Sequence, residues 1–148
     1  MIALIQRVSR ASVDISEKEV AAIGAGLMVL LGIQVGDTEK EARKLAQKTV
    51  SLRVFDDDKG DMNLDVKSVD GGVLIVPNFT LAADTSRGNR PGFSTAMPPK
   101  DAEPLFELFA RETRELTKSV QTGVFGADMQ VSLVNDGPIT ISLETKNT

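Results

Sequence analysis

The chain has 148 residues, of which 41% are hydrophobic and 26% are charged, and its formal net charge is −4. It contains no cysteine and no histidine, which excludes disulfide bridges, zinc-thiolate sites, imidazole general bases and Ser-His or Cys-His nucleophiles. The length predicts a single domain over residues 1–148, and the acidic balance argues against broad, non-specific nucleic-acid binding.

The first part of the chain predicts strands followed by a helix. Apolar stretches indicate four strands, at residues 1–8, 11–15, 20–23 and 27–31. Ser9 and Arg10 separate the first two, and the fourth is continuously apolar, which is typical of a strand buried on both faces of a sheet. Thr38 and Glu41 fit a capping box, so a helix should follow and end near Leu52.

The rest of the chain predicts four more strands and a second helix. The strands are expected at residues 73–81, 120–125, 129–134 and 139–143. The helix should cover residues 101–118, with Asp101 as its N-cap and Leu108 and Phe109 on its buried face. Residues 135–138, Asn-Asp-Gly-Pro, predict a turn that closes a hairpin between the last two strands. Many strands and two helices on one core predict an α+β fold with mostly antiparallel pairing.

An acidic run at residues 56–61, Asp-Asp-Asp-Lys-Gly-Asp, superficially suggests a calcium loop. The EF-hand pattern requires a ligand at the position of Gly60 and a glycine at the position of Asp61, so the match fails. We interpret the run as an acidic surface turn, and the sequence predicts no metal site and no cofactor.

Two stretches combine polar groups with turn-forming residues. Residues 77–81, Pro-Asn-Phe-Thr-Leu, end an apolar strand, and the loop beyond them carries Arg87 and Arg90 among glycines and hydroxyls. Loops held by a rigid strand commonly carry binding residues. Taken alone, the first stretch is better interpreted as a strand cap followed by a solvated loop, and residues 135–138 as a plain turn.

Taken together, the segments "MIALIQRVSRASV", "NFTLAAD", "TGVFGADMQVSLVNDGP" and "NDGPIT" resemble the D-aminoacyl-tRNA deacylases, from Met1 to about Leu143. That family is marked by two motifs, Ser-Gln-x-Thr-Leu and Asn-x-Gly-Pro-x-Thr. The second motif is complete here as Asn135, Gly137, Pro138 and Thr140. The first is matched at Thr80 and Leu81, whereas Pro77 and Asn78 replace the usual Ser and Gln.

The resemblance implies a homodimeric editing hydrolase with a layered ββα fold, barrel-like and mostly antiparallel. It would cleave the ester between a D-amino acid and the terminal ribose of tRNA, and it would also accept glycyl-tRNA. The Gly137–Pro138 step would be cis and would reach into the partner's pocket, where its carbonyls hold the substrate's α-amino group and reject L side chains. Arg7 would brace that step.

The resemblance also implies that the tRNA 2′-hydroxyl performs the catalysis, while Asn78, Phe79 and Thr80 supply position and N–H donors. Thr80 is therefore expected to position the substrate rather than to attack it. Pro77 belongs to the substrate-binding set, although it has no N–H to donate. Asn78 has a side chain one methylene shorter than the usual Gln.

Two further classes of function remain open on the residues alone. The first is a dimeric RNA-binding or small-ligand module without turnover, and the second is a conventional esterase with Thr80 as its nucleophile.

For the deacylase, the expected partners are aminoacylated tRNA and a second copy of the chain, with no membrane and no DNA. The start is quickly polar and no apolar run approaches about 18 residues, so a cytoplasmic protein is expected.

Overall fold

The computed structural model describes residues 1–145, and these residues form an α+β fold as the sequence predicts. The elements in chain order are β1 (Ile2–Ile15), β2 (Lys18–Ile23), β3 (Gly26–Gly32), α1 (Glu39–Ser51), β4 (Phe55–Asp56), β5 (Met62–Leu64), β6 (Gly72–Pro77), a 3-10 helix (Phe79–Ala82), α2 (Pro99–Leu116), β7 (Val120–Thr122) and β8 (Gln130–Glu144). The short strands β4 and β5 were not predicted, because neither has a periodic apolar pattern of its own.

The long strand β1 organises the main sheet. Its first half pairs with β3 and its second half with β2, while β8 pairs along its whole length, all antiparallel. Beyond β3, β6 and then β7 add in parallel, and the sheet curls into a nearly closed, barrel-like shape. The prediction that antiparallel pairing dominates is confirmed, and β3 is buried on both faces of the sheet, as predicted.

Two predicted interruptions of strands are wrong. β1 runs through Ser9 and Arg10, because its neighbour changes from β3 to β2 there while the strand itself continues. Residues 135–138 do not close a hairpin, because both halves of β8 pair with β1 in the same direction. Gln6 pairs with Thr140 and Val8 with Asn135, so the intervening residues of β8 bulge away from the ladder.

Three predicted boundaries are also corrected. β6 ends at Pro77 rather than at residue 81, because proline cannot donate to the ladder. α2 begins at Pro99 with Pro98 as its N-cap, so Asp101 is not the cap but lies in the first turn. Proline is well tolerated at a first helical position, where its missing N–H has no intrahelical acceptor. β7 ends at Thr122 instead of residue 125.

The first helix begins where the sequence predicts. Lys40 donates its N–H to Thr38 Oγ1 at 3.3 Å, and Thr38 donates its N–H to Glu41 Oε2 at 2.6 Å, so the capping box is confirmed. The hydrogen bonds from the Thr38 side chain and backbone lower the pKa of Glu41. The helix ends at Ser51 with Leu52 as its C-cap, as expected.

Both helices pack on one face of the main sheet. The core on that face joins residues of the helices to alternate residues of the strands, among them Leu45, Phe106, Phe109, Ile5, Leu27 and Ile75. Met28 and Leu74 alternate along their strands with residues of that core, so they point to the opposite face of the sheet. There they form a smaller cluster with Val8 and Val13. Between residues 1 and 145, no helix is long and apolar enough to span a membrane.

The α-ammonium group of Met1 is buried in a polar site of its own. It donates to Asp37 Oδ1 at 2.8 Å, to Gln34 Oε1 at 3.0 Å and to Thr145 Oγ1 at 3.0 Å. The side chains of Met1 and Asp37 are 0% and 3% exposed, so the charges of this ion pair are shielded from water. Asp37 Oδ2 also accepts the N–H of Gln34 at 2.7 Å, which ties the loop after β3 to the beginning of β1.

Candidate active site

A cleft of about 250 Å³ opens where β3 and β6 end. Pro77 stops the ladder of β6, and the N–H of Asn78 then donates to the Leu31 carbonyl at 2.8 Å, so the chain stays beside β3 as it turns into the 3-10 helix. The cleft is lined by Leu31, Ile33, Pro77, Asn78, Phe79, Thr80, Met97, Pro99, Ala102, Phe125, Gly126, Ala127 and Met129. Four residues singled out in the sequence, 77 to 80, therefore share one site.

The residues that line the cleft limit the chemistry that it can perform. None of the described residues that line it carries an ionisable side chain. Thr80 Oγ1 donates to Asn78 Oδ1 at 2.9 Å, and an amide oxygen cannot serve as a base toward that hydroxyl. The cleft thus offers shape, apolar surface and hydrogen bonds, but no activated nucleophile of its own.

Backbone donors in the cleft differ from those expected. The sequence suggested three N–H groups facing a substrate, from Asn78, Phe79 and Thr80. The N–H of Asn78 is already engaged by Leu31, so that expectation is wrong for this residue. Across residues 1–145, no acceptor binds the N–H groups of Phe79 and Thr80, which begin the 3-10 helix and remain available to a ligand.

Gly137 and Pro138 lie in a second cluster, which we name the Gly-Pro turn (residues 135–140). The Gly137–Pro138 peptide bond is cis. Asn135 closes the turn through its side chain, since its Oδ1 accepts the N–H of Ile139 at 2.7 Å and its Nδ2 donates to the Ile139 carbonyl at 3.1 Å. Nδ2 also donates to Thr140 Oγ1 at 3.1 Å, which gives both polar residues of the Asn-x-Gly-Pro-x-Thr motif a structural role.

Arg7 braces the Gly-Pro turn from β1. Its Nε donates to the carbonyl of Asp136 at 2.9 Å and its Nη1 to the carbonyl of Val54 at 2.8 Å. The Asp136 and Asp56 carboxylates lie 3.6 and 3.7 Å from the guanidinium and neutralise it. The side chain is only 12% exposed, so it holds the turn rigidly rather than reaching into solvent.

The glycine of the Gly-Pro turn cannot be replaced without movement. Gly137 has a φ of +154°, and a Cβ there would lie 2.6 Å from Ile139 N and 2.8 Å from Ile139 Cγ1. Gly137 and Pro138 are themselves exposed, and neither lines the cleft of their own chain. A single chain therefore gathers residues 77–80 in one place and Arg7 with the Gly-Pro turn in another.

The far wall of the cleft consists of residues that were not predicted as site residues. Phe125 and Met129 lie in the loop between β7 and β8, while Met97 and Pro99 precede or begin α2. Phe125 is held by an aromatic contact with Phe106, whose ring centroid is 5.9 Å away. The segment around Phe125 and Met129 was part of the family resemblance, which was the available signal. In the part of the chain described, no group of three carboxylates could hold a metal ion.

Comparison with known proteins places most of the chain in one group. The sequence model described as D-Tyr-tRNA(Tyr) deacylase matches residues 4–144. The D-aminoacyl-tRNA deacylase of Roseiflexus sp. (strain RS-1) is 54% identical over 145 residues, covering 98% of this chain and 94% of the relative. That of Herminiimonas arsenicoxydans is 56% identical over 146 residues, covering 99% and 98%.

Two solved structures have similar folds. One, titled c-Myc DNA Unwinding Element Binding Protein, has a TM-score of 0.94 and 41% identity and covers 98% of this chain and 99% of its own. The other, titled as a probable eukaryotic D-amino acid tRNA deacylase, has a TM-score of 0.79 and covers 96% and 97%. Its identity is 16%, so that likeness concerns the fold alone.

Proposed function

This chain belongs to the D-aminoacyl-tRNA deacylase family, and we propose that it cleaves its substrate by positioning the ester rather than by attacking it with a side chain. It is a carboxylic ester hydrolase of tRNA proofreading, which frees tRNA from a D-amino acid. The observation that carries the proposal is a cleft lined without any ionisable side chain, in a chain without histidine or cysteine.

We assign the cleft to the terminal nucleoside of the tRNA. Its apolar walls, including Phe125 and Met129, suit a base, and its rim at Thr80 carries the polar groups that suit a ribose. The N–H groups of Phe79 and Thr80 are then the donors for the oxyanion that forms as the ester is attacked. Water would attack the ester carbon, and the ribose 2′-hydroxyl, held beside the ester, would accept a proton from that water while donating its own to the departing 3′-oxygen, because the cleft offers no base.

We further propose that the Gly-Pro turn completes the cleft of a partner subunit in a homodimer. The turn is exposed, rigidly braced by Arg7 and Asn135, and away from the cleft of its own chain. Val131 and Val134, on the same strand, are 36% and 41% exposed, which leaves apolar surface for a second copy to cover. The carbonyls of the turn would hold the substrate's α-amino group and leave no space for an L side chain.

The direct test is deacylation by the purified protein of one tRNA charged with the D- or the L-form of one amino acid. We expect rapid release of the D-amino acid and no release of the L-amino acid above the uncatalysed rate. Glycyl-tRNA should also be cleaved, because glycine has no side chain to be rejected. Protection of the D-aminoacyl ester from hydrolysis would instead identify a binding module without turnover.

The shared site is tested by pairing two inactive variants. Gly137→Ala should lower kcat/KM by about 100-fold, because the new methyl group displaces the turn from its partner's cleft. Ala127→Trp should block the cleft itself. Mixed and re-paired, the two should recover about a quarter of wild-type activity, since half of the dimers are mixed and each has one intact site.

Three controls accompany that mixture. Circular dichroism should show that each variant is folded, and light scattering should give a mass of two chains of 15.9 kDa each. Each variant re-paired with itself should stay inactive. Absence of recovery in mixed dimers would show that the turn serves its own chain's cleft.

A further inference from the structure

A basic loop is attached to the rim of the cleft. We name residues 85–91 the arginine loop, after Arg87 and Arg90. Its base is closed by a pair of backbone hydrogen bonds, from Asp84 N to the Gly92 carbonyl at 2.7 Å and from Gly92 N to the Asp84 carbonyl at 2.9 Å. Because the loop follows the 3-10 helix and precedes Met97, which lines the cleft, both of its ends are fixed beside the site.

The arginines of this loop are not used by the fold. Both are exposed, and neither forms an ion pair or a hydrogen bond with any residue from 1 to 145. The nearest carboxylate in sequence, Asp84, accepts the N–H of Ser86 at 2.9 Å, and the hydrogen bonds from Ser86 hold the pKa of Asp84 below its usual value. The loop thus presents two unpaired guanidinium groups to solvent, in a chain of net charge −4.

An exposed aromatic pair joins the cleft to the arginine loop. The ring centroids of Phe79 and Phe93 lie 5.2 Å apart at an interplanar angle of 31°. Phe79 lines the cleft and is 45% exposed, while Phe93 follows the loop and is 39% exposed. Large aromatic side chains are normally covered, so an exposed pair at the end of a loop that carries two free cations suits a ligand that has both flat rings and negative charges.

We propose that the arginine loop and Phe93 bind the unpaired nucleotides that precede the terminal nucleoside of the tRNA. Arg87 and Arg90 would contact their phosphates, and Phe93 would stack on a base, which is how proteins hold single-stranded nucleic acid. The proposal rests on the deacylase function and adds to it a second anchoring surface for the substrate. Phe79 would link the two surfaces, since it belongs both to the cleft and to the aromatic pair.

The test compares a long and a short substrate. Wild type, Arg87→Gln/Arg90→Gln and Phe93→Leu are assayed on D-aminoacyl-tRNA and on D-aminoacyl-adenosine, which has no preceding nucleotides. Each variant should lose roughly tenfold or more in kcat/KM on the tRNA. On the adenosine ester each should match wild type, which also shows that the variant is folded. The arginine variant should flatten the plot of log kcat/KM on tRNA against log salt concentration by about 1.4 in slope.

Lys18→Gln/Lys118→Gln is the matched control, because it removes the same charge from the opposite end of the sheet. Lys18 begins β2, and Lys118 precedes β7, so both lie away from the end of β6 that carries the cleft. This control should keep wild-type values on both substrates. If wild type cleaves neither substrate, the deacylase proposal fails. If wild type is active but the loop variants lose nothing on tRNA, or lose equally on both substrates, the loop proposal is overturned.

Discussion

D-aminoacyl-tRNA that ends in 2′-deoxyadenosine, with the amino acid on the 3′-oxygen, should be deacylated at least about 100-fold more slowly by this protein, whereas Thr80→Ala should keep most of the wild-type rate. The cleft has no ionisable side chain among its described lining residues, and the Thr80 hydroxyl donates to an amide at 2.9 Å instead of to a base. If the 2′-hydroxyl provides the missing proton transfer, its removal should cost about 10²–10⁴-fold. The measurement is single-turnover deacylation with saturating enzyme, which separates chemistry from binding.

Binding must be measured alongside that rate. The deoxy substrate should still compete with D-aminoacyl-tRNA, because its base and acceptor end are unchanged. Thr80→Val is the matched variant to Thr80→Ala, since it removes the hydroxyl and retains the branched shape. An inactive Thr80→Ala together with normal turnover of the deoxy substrate would assign the nucleophile to Thr80 and make the protein a conventional esterase.

Asp37→Asn should lower the free energy of unfolding by about 3–5 kcal/mol, which is the usual effect of removing one partner of a buried ion pair. The Met1 ammonium is 2.8 Å from Asp37, and both side chains are almost completely buried. An amide in place of the carboxylate leaves that positive charge in the interior with only neutral acceptors. Denaturant unfolding followed by circular dichroism gives the value, provided that the m-value is unchanged.

Glu39→Gln provides the comparison for Asp37→Asn. Glu39 forms an ion pair with Arg43 at 3.7 Å, but its side chain is 73% exposed, so the loss should be less than about 1 kcal/mol. A similarly small loss in Asp37→Asn would mean that water reaches the Met1 ammonium in solution. Activity of Asp37→Asn at low temperature should stay close to wild type, because the residue does not line the cleft.

Local signals in the sequence explain why some elements could be predicted and others could not. The helix after Thr38 was predictable because its capping box lies within four residues. The Asn-Asp-Gly-Pro stretch predicts a hairpin, which is wrong, because the same residues suit a hairpin turn and a bulge within one strand. The choice depends on β1, which is more than half the chain away in sequence and pairs with both halves of β8. No pattern inside residues 129–143 contains that information.

Some parts of the candidate site could likewise be predicted from the sequence, and others could not. Residues 77–80 could be placed at a strand end, and Arg7 beside the Gly-Pro turn, from the motifs that they resemble. That the N–H of Asn78 is engaged by Leu31 could not be foreseen, because the contact depends on the register between β6 and β3. The Phe79–Phe93 pair was missed for a similar reason, since the loop that brings the two rings together has no periodic pattern.

The pairing of β1 with β8 also governs how the chain is made. Ile2 pairs with Glu144 and Asp14 with Gln130. The ladder between β1 and β8 therefore cannot be completed until about 130 further residues have been synthesised after β1. At typical rates of translation this wait is on the order of ten seconds, during which one edge of β1 is unpaired. Such non-local pairing is expected to make folding slow and the growing chain dependent on chaperones that cover exposed strand edges. The main sheet of this deacylase would then be completed only when synthesis of the chain is nearly finished.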